Sequence, residues 1–325
     1  MRKTIVEMLK RAGGDFVSGE SIAGELKISR TAVWKHIQKL RDNGYEILSR
    51  ERCGYKLKDA PDLLLPSEIQ IGLDTKVVGI EMHYHPSVDS TNHVAKALAY
   101  HGAKDGAIVV AEEQTFGKGR RERNFYSPRG KGIWFSVILR PKLLPKDAPQ
   151  LTLMAAVAIA EALSHFNLKL GIKWPNDLLF DGRKVVGILT EMTGEIGRIT
   201  YVVVGIGINV NFSRDEFPKD LRPVAASLSE ISGQELSRVK IFRAVLEEFD
   251  RLYREVNENG FGEIQKLWRK YNVTLGKNIR VISAVEGGGE NFDGKAVDID
   301  ADGALIVETL DGKRTTVYAG DVSIR

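Results

Sequence analysis

The feature that most limits the fold of this chain is a basic segment, residues 117–128, that lies between two largely apolar runs. The runs, residues 107–112 and 132–139, have the length and composition of buried strands, so the segment is predicted to be a loop joining two adjacent strands of one sheet. Gly117 and Gly119 let the backbone approach a ligand. We therefore expect an anion-binding loop, with a solvated basic loop as the alternative. The loop carries four closely spaced cations: Lys118, Arg120, Arg121 and Arg123.

Composition indicates a globular protein with more than one domain. The chain has 325 residues, of which 43% are hydrophobic and 28% are charged, enough for a large core and two or three domains. Cys53 is the only cysteine, so an internal disulfide is impossible and the sequence predicts a cytoplasmic protein. The N-terminus lacks an apolar signal segment, and the longest apolar stretch, residues 151–163, is too short to span a bilayer. We expect no membrane partner.

The N-terminal segment is basic, and its pattern predicts a winged helix-turn-helix. Residues 1–58 carry 13 lysines and arginines against 7 acidic residues. Apolar spacing predicts three short helices, the third at residues 30–40 with Ser29 as its N-cap, followed by a strand hairpin with a basic tip at residues 50–53. A three-helix domain for protein contacts is the alternative. The residues expected to bind DNA are polar, basic or aromatic: Ser21, Arg30, Thr31, Trp34, Lys35, Lys39, Arg50 and Arg52.

A proline-flanked apolar trio marks a linker, and we place a domain boundary between residues 65 and 66. The central segment, residues 66–273, has both strand and helix patterns. The residues Ser90, Thr91 and Asn92 precede a helix and are expected to cap it, with binding of a polar small molecule as the alternative. The other predicted helices are at residues 151–166, 238–257 and 261–271, and further strands are predicted at 80–85, 184–191, 199–204 and 206–210.

Two further features of the central segment suggest a ligand. A strand is predicted to stop at Trp174-Pro175, which presents Lys173, Asn176 and Asp177 at a strand end, where polar groups can converge; a structural tight turn is the alternative. Lys184 begins a buried strand, where a lysine is out of place unless it is paired or faces a ligand. Gly205 lies within an apolar strand pattern, which marks a close approach of another backbone or a bound ring.

The C-terminal segment, residues 274–325, is predicted to form a small closed β unit of the SH3-like kind. Four short strands are expected, at residues 279–283, 294–298, 304–309 and 315–318. No metal site is predicted from a side-chain cluster. The pair of His83 and His85 lacks a partner at ligand spacing, and residues 298–303 resemble only the start of an EF-hand loop, because Thr309 takes the place of the closing glutamate.

Together these motifs resemble one family. They are the winged helix, the 90–92 helix start, Gln114 with the basic loop, residues 173–177, residues 184–189 and residues 205–209. The family is that of the bifunctional biotin protein ligase and biotin operon repressor. The resemblance implies an α/β (α+β) multidomain fold: a winged helix-turn-helix DNA-binding domain at 1–65, a mixed-sheet biotin/lipoate ligase-type catalytic domain at 66–273 and a small SH3-like β-barrel at 274–325.

The same resemblance implies an enzyme that joins biotin to ATP as biotinyl-5′-AMP and transfers biotin to a lysine of the biotin carboxyl carrier protein. Mg²⁺ is expected with the ATP, biotinyl-AMP is expected to act as corepressor, and the corepressor-bound protein is expected to bind operator DNA as a homodimer. The implied catalytic residues are Lys184, Arg120 and Asp177. The implied biotin-binding residues are Ser90, Thr91, Asn92, Gln114, Lys118, Gly119, Arg120 and Lys184. The implied nucleotide-binding residues are Lys118, Arg120, Arg121, Phe125, Lys173, Asn176, Gly205 and Asn209.

The basic loop departs from the family pattern, which reads Gly-Arg-Gly-Arg with a later glycine and tryptophan. This chain has Lys118, Glu122 and Phe125 instead. Because lysine cannot bind bidentately as arginine does, we hypothesise that the adenylate is held less tightly and can label other proteins. Alternative functions are a DNA-binding sensor without catalysis, a ligase with a vestigial helix-turn-helix, and a lipoate ligase. Lys184 and the basic loop argue against the first, and the basic face of the third helix argues against the second.

Overall fold

The structure is a computed structural model that describes residues 1–195, 197–283, 291–318 and 320–324, with the side chains of Glu122 and Ser283 left out. The expected effect of Glu122 on the adenylate thus lies outside the described residues. The chain divides into two compact units, residues 1–73 and 74–325. The boundary predicted between residues 65 and 66 remains a prediction.

The first unit is a helix-turn-helix followed by a strand hairpin. Its buried core includes Ile5, Leu9, Ile22 and Ile37, so the apolar faces of the three helices meet as predicted. The Ser29 side chain accepts a hydrogen bond from the backbone N–H of Ala32 over 3.2 Å, which confirms the predicted cap. The elements are α1 (Arg2–Arg11), α2 (Gly19–Leu26), α3 (Arg30–Asp42), β1 (Glu46–Arg50), β2 (Gly54–Asp59) and α4 (Pro66–Ile69).

The second unit begins with a seven-stranded sheet whose strand order, in the described part of the chain, is β3-β4-β5-β9-β8-β7-β6. Strands β3 and β4 pair in parallel, and all the other neighbouring pairs are antiparallel. The elements are β3 (Met82–His85), α5 (Thr91–Tyr100), β4 (Ile108–Ala111), β5 (Gly132–Leu139), α6 (Pro149–Ser164), β6 (Gly171–Lys173), β7 (Asp177–Phe180), β8 (Arg183–Glu195), β9 (Arg198–Asn209), α7 (Leu228–Ser232), α8 (Arg238–Asn259) and α9 (Gly262–Tyr271).

The centre of this sheet is buried and holds the two ends of the basic loop in place. Every residue of β4 and β5 is buried, and the strands pair with Val110 opposite Phe135, so the loop joins adjacent strands as predicted. The guanidinium of Arg238, at the start of α8, lies 2.9 Å from Glu112 Oε2 and also donates to the backbone oxygen of Gly132. This buried ion pair satisfies both charges and fixes the strand ends from which the loop leaves.

The C-terminal segment forms an antiparallel sheet, in which the described strands follow the order β13-β12-β11-β10-β14. The four predicted strands are present, and a fifth, β14, was missed by the sequence analysis. The elements are β10 (Asn278–Ser283), β11 (Phe292–Ile299), β12 (Leu305–Thr309), β13 (Arg314–Val317) and β14 (Gly320–Ile324). Asp300 Oδ1 accepts hydrogen bonds from the backbone N–H groups of Asp302 and Ala304, so the EF-hand-like segment is a tight turn between two strands.

The C-terminal segment is hydrogen-bonded to the central sheet at Trp174, which directly follows β6. The indole N–H of Trp174 donates to the backbone oxygen of Gly303 over 3.1 Å, and its backbone N–H donates to Thr274 Oγ1 over 2.9 Å. Helix α9 adds a second connection, because Arg269 pairs with Asp298 at 2.8 Å. The tight strand end at residues 173–177 therefore has a structural function besides presenting polar side chains.

Candidate functional site

The basic loop is folded into a short hairpin. The backbone N–H of Gly119 donates to Arg123 O, and that of Phe125 donates to Gly117 O, each over 2.7 Å. A Cβ atom on Gly117 would lie 2.4 Å from the backbone oxygen of Phe125. Arg121 lies at the turn with a left-handed φ of 56°. Gly117 is thus required by contact within the loop itself, whereas the sequence analysis assigned this role to a ligand.

Ser90 and Thr91 lie at the N-terminus of α5, but they do not cap it as expected. Ser90 occupies the N-cap position, and no side-chain capping hydrogen bond is present there among the described residues. Thr91 instead bonds through its backbone N–H and its hydroxyl to Gln114 Oε1, at 2.9 and 3.0 Å. The capping prediction was wrong: the acceptor for the first N–H of the helix is Gln114, which lies between β4 and the basic loop and not next to the helix in sequence.

Gln114 is in turn fixed by Ser127, at the far end of the basic loop. Its Nε2 donates to Ser127 Oγ over 3.0 Å, and the two residues also form a β-bridge. The backbone N–H of Ser90 donates to Asp89 Oδ1 over 2.6 Å. Hydrogen bonds from His93 and from this N–H lower the pKa of the Asp89 carboxyl below its usual value, so Asp89 is ionised beside the helix start. Hydrogen bonds within the protein therefore hold Ser90, Thr91 and Gln114 in defined positions.

Asn92 is held on three sides. Its Nδ2 donates to Glu191 Oε2 over 2.8 Å, and its Oδ1 lies 2.6 Å from Ser136 Oγ. Glu191 also pairs with Lys96. A Cβ atom on Gly205 would lie 2.1 Å from Asn92 Oδ1, so this glycine is needed to admit the amide. The resemblance implied that Gly205 binds the nucleotide. In the structure it lies against Asn92, which is one of the residues implied for biotin.

Phe125 folds back onto the sheet over two further glycines. A Cβ atom on Gly207 would lie 2.4 Å from the Phe125 ring, and one on Gly187 would lie 2.8 Å from it. Lys184 Nζ lies 5.7 Å from the ring centroid. Gly187 and Gly207 face each other on β8 and β9. They therefore form a flat patch on which an aromatic ring can lie, and neither was among the predicted site residues.

The cationic side chains converge on the edge of this patch. Lys184 Nζ lies 2.6 Å from Asp177 Oδ1, and Arg120 Nη1 lies 3.3 Å from Asn176 Oδ1. Arg120 also pairs with Asp321 of β14 at 3.2 Å. Lys184 is thus paired with Asp177, which is one of the two explanations expected for a lysine at the start of a buried strand. Asp321 was not predicted, since it is about 200 residues from Arg120 along the chain.

Three described cavities meet at these residues. The small cavity, of about 40 Å³, lies over the polar side chains at residues 90–92 and Gln114 and over the strand glycines Gly187, Gly205 and Gly207. The large cleft, of about 570 Å³, lies beyond Phe125, and the side cavity, of about 390 Å³, lies beside Trp174. The small cavity is lined by Ser90, Thr91, Asn92, Gln114, Lys118, Gly119, Arg120, Phe125, Asn176, Lys184, Gly187, Ile188, Leu189, Gly205, Ile206 and Gly207.

The small cavity brings together every residue expected to bind biotin. The large cleft is lined by Arg120, Phe125, Lys173, Asn176 and Asn209 from the expected nucleotide set, together with Asp177 and Lys184. Lys118 and Gly205 line the small cavity instead, and Arg121 lines none of the three described cavities. The further residues that the sequence analysis missed are Ser127, Ser136, Gly187, Glu191, Gly207 and Asp321.

The residues expected to bind DNA lie in the first unit, and all eight are exposed. Trp34 is 52% exposed, whereas Val33 and Ile37 of the same helix are buried. Cys53 is exposed at the hairpin tip between β1 and β2. Within the described ranges, no group of three or more His, Cys, Asp or Glu side chains could hold a metal ion, and no helix is long and apolar enough to cross a membrane.

Three parts of the sequence match known families. Residues 2–56 match the HTH domain, residues 84–209 match the Biotin/lipoate A/B protein ligase family, and residues 274–325 match the Biotin protein ligase C terminal domain. These segments correspond to the helix-turn-helix, to the sheet that carries the three cavities and to the C-terminal sheet.

The chain is also similar to individual proteins over most of its length. It is 42% identical to the bifunctional ligase/repressor BirA of Bacillus subtilis over 325 residues, which is 100% of this chain and 98% of that protein. It is 32% identical to BirA of Escherichia coli, covering 97% of this chain and 94% of that protein. The solved biotin protein ligase from Aquifex aeolicus, in complex with biotin and ATP, matches with 29% identity and a TM-score of 0.64, covering 76% of this chain and 99% of that one.

Proposed function

The chain belongs to the family of bifunctional ligase/repressors of the BirA type, and from this premise we propose that it is a biotin protein ligase and a biotin-responsive repressor. It joins biotin to ATP as biotinyl-5′-AMP and transfers biotin to a lysine of the biotin carboxyl carrier protein. The observation that carries this proposal is the convergence, in the small cavity, of polar side chains from α5 with the cations Arg120 and Lys184.

The small cavity is the proposed site for the ring system of biotin. Thr91, Asn92 and Gln114 offer the donors and acceptors that a ureido group needs, and they are preorganised by Ser127, Ser136 and Glu191. Because 40 Å³ has room for only a few water molecules, we propose that Phe125 and the basic loop move when biotin binds. Movement of Phe125 opens the glycine patch and joins the small cavity to the large cleft.

Adenylation takes place at the junction of these two spaces. A carboxylate oxygen of biotin attacks the α-phosphorus of ATP, the new C–O–P link forms, and pyrophosphate leaves with the electron pair of the broken P–O bond. Two anions must approach each other, so Arg120 and Lys184 lower the barrier by screening their repulsion and the developing charge. Asp321 pairs with Arg120 and Asp177 pairs with Lys184, and the substrate anions are proposed to replace these carboxylates.

The large cleft is the proposed nucleotide site. Lys173, Asn176 and Asn209 line it, and Phe125 provides a ring for stacking at its boundary with the small cavity. Asp177 also lines the cleft, where it orients Lys184 or the acceptor amine. Mg²⁺ is proposed to enter with ATP and to be held chiefly by phosphate oxygens and water, because the described residues contain no acidic or histidine cluster for it.

The first unit is proposed to bind operator DNA. Its third helix presents Arg30, Thr31, Trp34, Lys35 and Lys39 to solvent, which are side chains suited to phosphates and base edges in the major groove. Biotinyl-AMP is proposed as the corepressor that promotes a homodimer, since two such units are needed to read a palindromic site. The C-terminal sheet is proposed to be an SH3-like unit that supports the site through Trp174 and Asp321.

One set of measurements tests both activities. The full chain is incubated with biotin, ATP and Mg²⁺, and biotinyl-AMP is detected by mass spectrometry; lipoate in place of biotin is the control for the alternative cofactor. Gel filtration and binding to a fragment of the biotin operon then report dimerisation and DNA affinity with and without biotinyl-AMP. Lipoyl-AMP as the main product would overturn the biotin assignment. Biotinyl-AMP without any gain in DNA affinity would leave a ligase and reject the repressor.

A further inference from the structure

We propose that the indole ring of Trp34 reads the C5-methyl groups of thymine in the major groove of the operator. This inference rests on the proposed repressor function and names the chemical group that one residue of the first unit recognises. Trp34 is 52% exposed. Thr31 and Gln38 lie three residues before it and four residues after it, so the three side chains share one side of α3. Within α3, all of whose residues are described, Trp34 is the only exposed apolar side chain.

The one polar atom of this ring is used within the protein. Trp34 Nε1 donates a hydrogen bond to the amide oxygen of Gln38 over 3.2 Å, and the same oxygen accepts a second hydrogen bond from Arg41 Nη1 over 3.0 Å. An indole ring has a single N–H donor and no acceptor. A contact between this N–H and a phosphate or a base edge would have to break the bond to Gln38. The ring therefore offers DNA an apolar surface.

Arg41 connects Gln38 to the strand hairpin of the first unit. Its Nε and Nη2 atoms donate to the backbone oxygen of Ile47 over 3.0 and 2.6 Å, and Nη2 also donates to Ser49 Oγ over 2.6 Å. All three nitrogens of this guanidinium thus bond within the unit. Residues 47 and 49 belong to β1, the strand that leads to the basic hairpin tip. The ring is held by a chain of hydrogen bonds before DNA arrives, which reduces the entropy cost of using it as a contact.

An apolar surface in the major groove has one kind of partner. Base pairs present hydrogen-bond donors and acceptors there, and the apolar group among them is the C5-methyl of thymine. The cations Arg30, Lys35 and Lys39 of the same helix suit phosphates, which position a protein on DNA but carry no sequence information. The Trp34 ring adds a contact that depends on the base. Each half of a palindromic operator is therefore expected to place thymine beside this ring.

Replacement of thymine by uracil tests the contact, because uracil differs from thymine only by the missing methyl group. A duplex fragment of the control region of the biotin operon is prepared in two forms, with thymine and with uracil at every thymine position. The full wild-type chain, bound to biotinyl-AMP, is titrated against each labelled form by fluorescence anisotropy at one salt concentration. The uracil form is expected to bind about 4- to 15-fold more weakly, as for the loss of one or two buried methyl groups.

Two variants assign this preference to the ring and to its support. Trp34→Ala is expected to bind the two forms with affinities that differ by less than about twofold, because the methyl group has lost its partner. Its binding to an unrelated duplex at low salt should equal that of the wild-type protein, which shows that the unit is folded. Gln38→Met frees the indole N–H and is expected to reduce the preference for thymine without abolishing DNA binding.

Lys39→Gln is the matched control on the same helix. Loss of a phosphate contact is expected to weaken binding to both forms by the same factor and to leave the preference for thymine unchanged. If Lys39→Gln also removes the preference, any weakening of the complex has this effect and the assignment to Trp34 is wrong.

The remaining outcomes separate the thymine contact from the repressor function. Equal affinity of the wild-type protein for the two forms would overturn the thymine contact, and so would a preference that survives in Trp34→Ala. If biotinyl-AMP does not raise the affinity of the wild-type protein for the thymine form, the repressor function itself is rejected, and the operator contact with it.

Discussion

Arg120 Nη1 donates a hydrogen bond to Asn176 Oδ1 over 3.3 Å, and in the described part of the molecule these two side chains are the ones that line the small cavity, the large cleft and the side cavity alike. Asn176 is itself anchored, because its Nδ2 donates to the backbone oxygen of Ile188 over 2.8 Å. The guanidinium of the basic loop is thereby connected to the buried centre of the sheet. This connection gives the charged group a defined position before substrates arrive.

Substitution of Arg120 is expected to impair adenylation strongly. Arg120→Gln keeps a hydrogen-bond donor for Asn176 but removes the charge that screens the carboxylate and the α-phosphate. The rate of biotinyl-AMP formation should fall by about 10²–10³-fold, as when a preorganised electrostatic contact is removed. Stopped-flow or quenched-flow measurement of pyrophosphate release provides the check. Arg129→Gln is the matched control, since Arg129 bonds Pro86 O and lines none of the three described cavities; an equal loss in both variants would contradict the role of Arg120.

Removal of the Asp321 carboxylate is expected to strengthen ATP binding. Asp321 pairs with Arg120 at 3.2 Å and with Arg121 at 3.8 Å, so a phosphate group must displace it to reach Arg120. Asp321→Asn removes that competition, and the dissociation constant for ATP should fall by roughly two- to tenfold at low ionic strength, with a smaller change at high salt. Isothermal titration at two salt concentrations measures both values.

Glu308→Gln is the control for Asp321. Glu308 lies in the same C-terminal sheet and pairs with Arg314 at 3.5 Å, on a surface away from the three cavities. The Glu308→Gln substitution removes one negative charge, but it leaves the pairs of Arg120 and Arg121 with Asp321 intact. An equal gain in ATP affinity in both variants would show that net charge, rather than release of Arg120, is responsible.

The sequence was sufficient for those parts of the fold in which local pattern and burial agree. The run at residues 132–139 is apolar except for Ser136, because β5 is covered on both faces, and the observed strand has the predicted bounds. The helix α3 was predicted with its cap because Ser29 and the stripe of Val33, Ile37 and Leu40 act locally. The residues that the family resemblance implied for biotin all line the small cavity.

The remainder depended on partners that are distant in sequence. The cap expected at Ser90 and Thr91 is absent, and Thr91 N–H instead donates to Gln114, a distant partner that no local rule contains. The strand β14 was missed because it has only five residues and begins with Gly320 and Asp321, so its alternation of apolar and polar residues is weak. Gly187 and Gly207 did carry a signal, since glycine within an apolar strand is unusual, but the ring that covers them could be identified only from the structure.

Gly205→Ala is expected to disrupt biotin binding through Asn92. The new methyl group would lie 2.1 Å from Asn92 Oδ1, and the amide cannot easily withdraw because Ser136 and Glu191 hold it. Overpacking of this kind costs about 1–3 kcal/mol, so the KM for biotin should rise by about tenfold or more while the KM for ATP changes less. Gly262→Ala is the control, because nothing lies within 4 Å of a Cβ atom at that position. An unchanged KM for biotin in Gly205→Ala would show that Asn92 does not act in the biotin site.

Lys118 stands where the family pattern of the basic loop has arginine, and its effect on retention of the adenylate can be measured directly. It lines the small cavity, and it pairs in a β-bridge with Asn124 across the loop hairpin. A lysine offers a single ammonium group, whereas an arginine binds a phosphate or carboxylate with two parallel hydrogen bonds and so holds it longer. We expect the wild-type protein to release biotinyl-AMP and to biotinylate a non-acceptor protein such as serum albumin, and Lys118→Arg to reduce that labelling several-fold. Streptavidin blotting of albumin measures the labelling, with transfer to the carrier protein as the internal control. No albumin labelling by the wild-type protein would reject weak retention, and equal labelling by both proteins would show that Lys118 is not its cause.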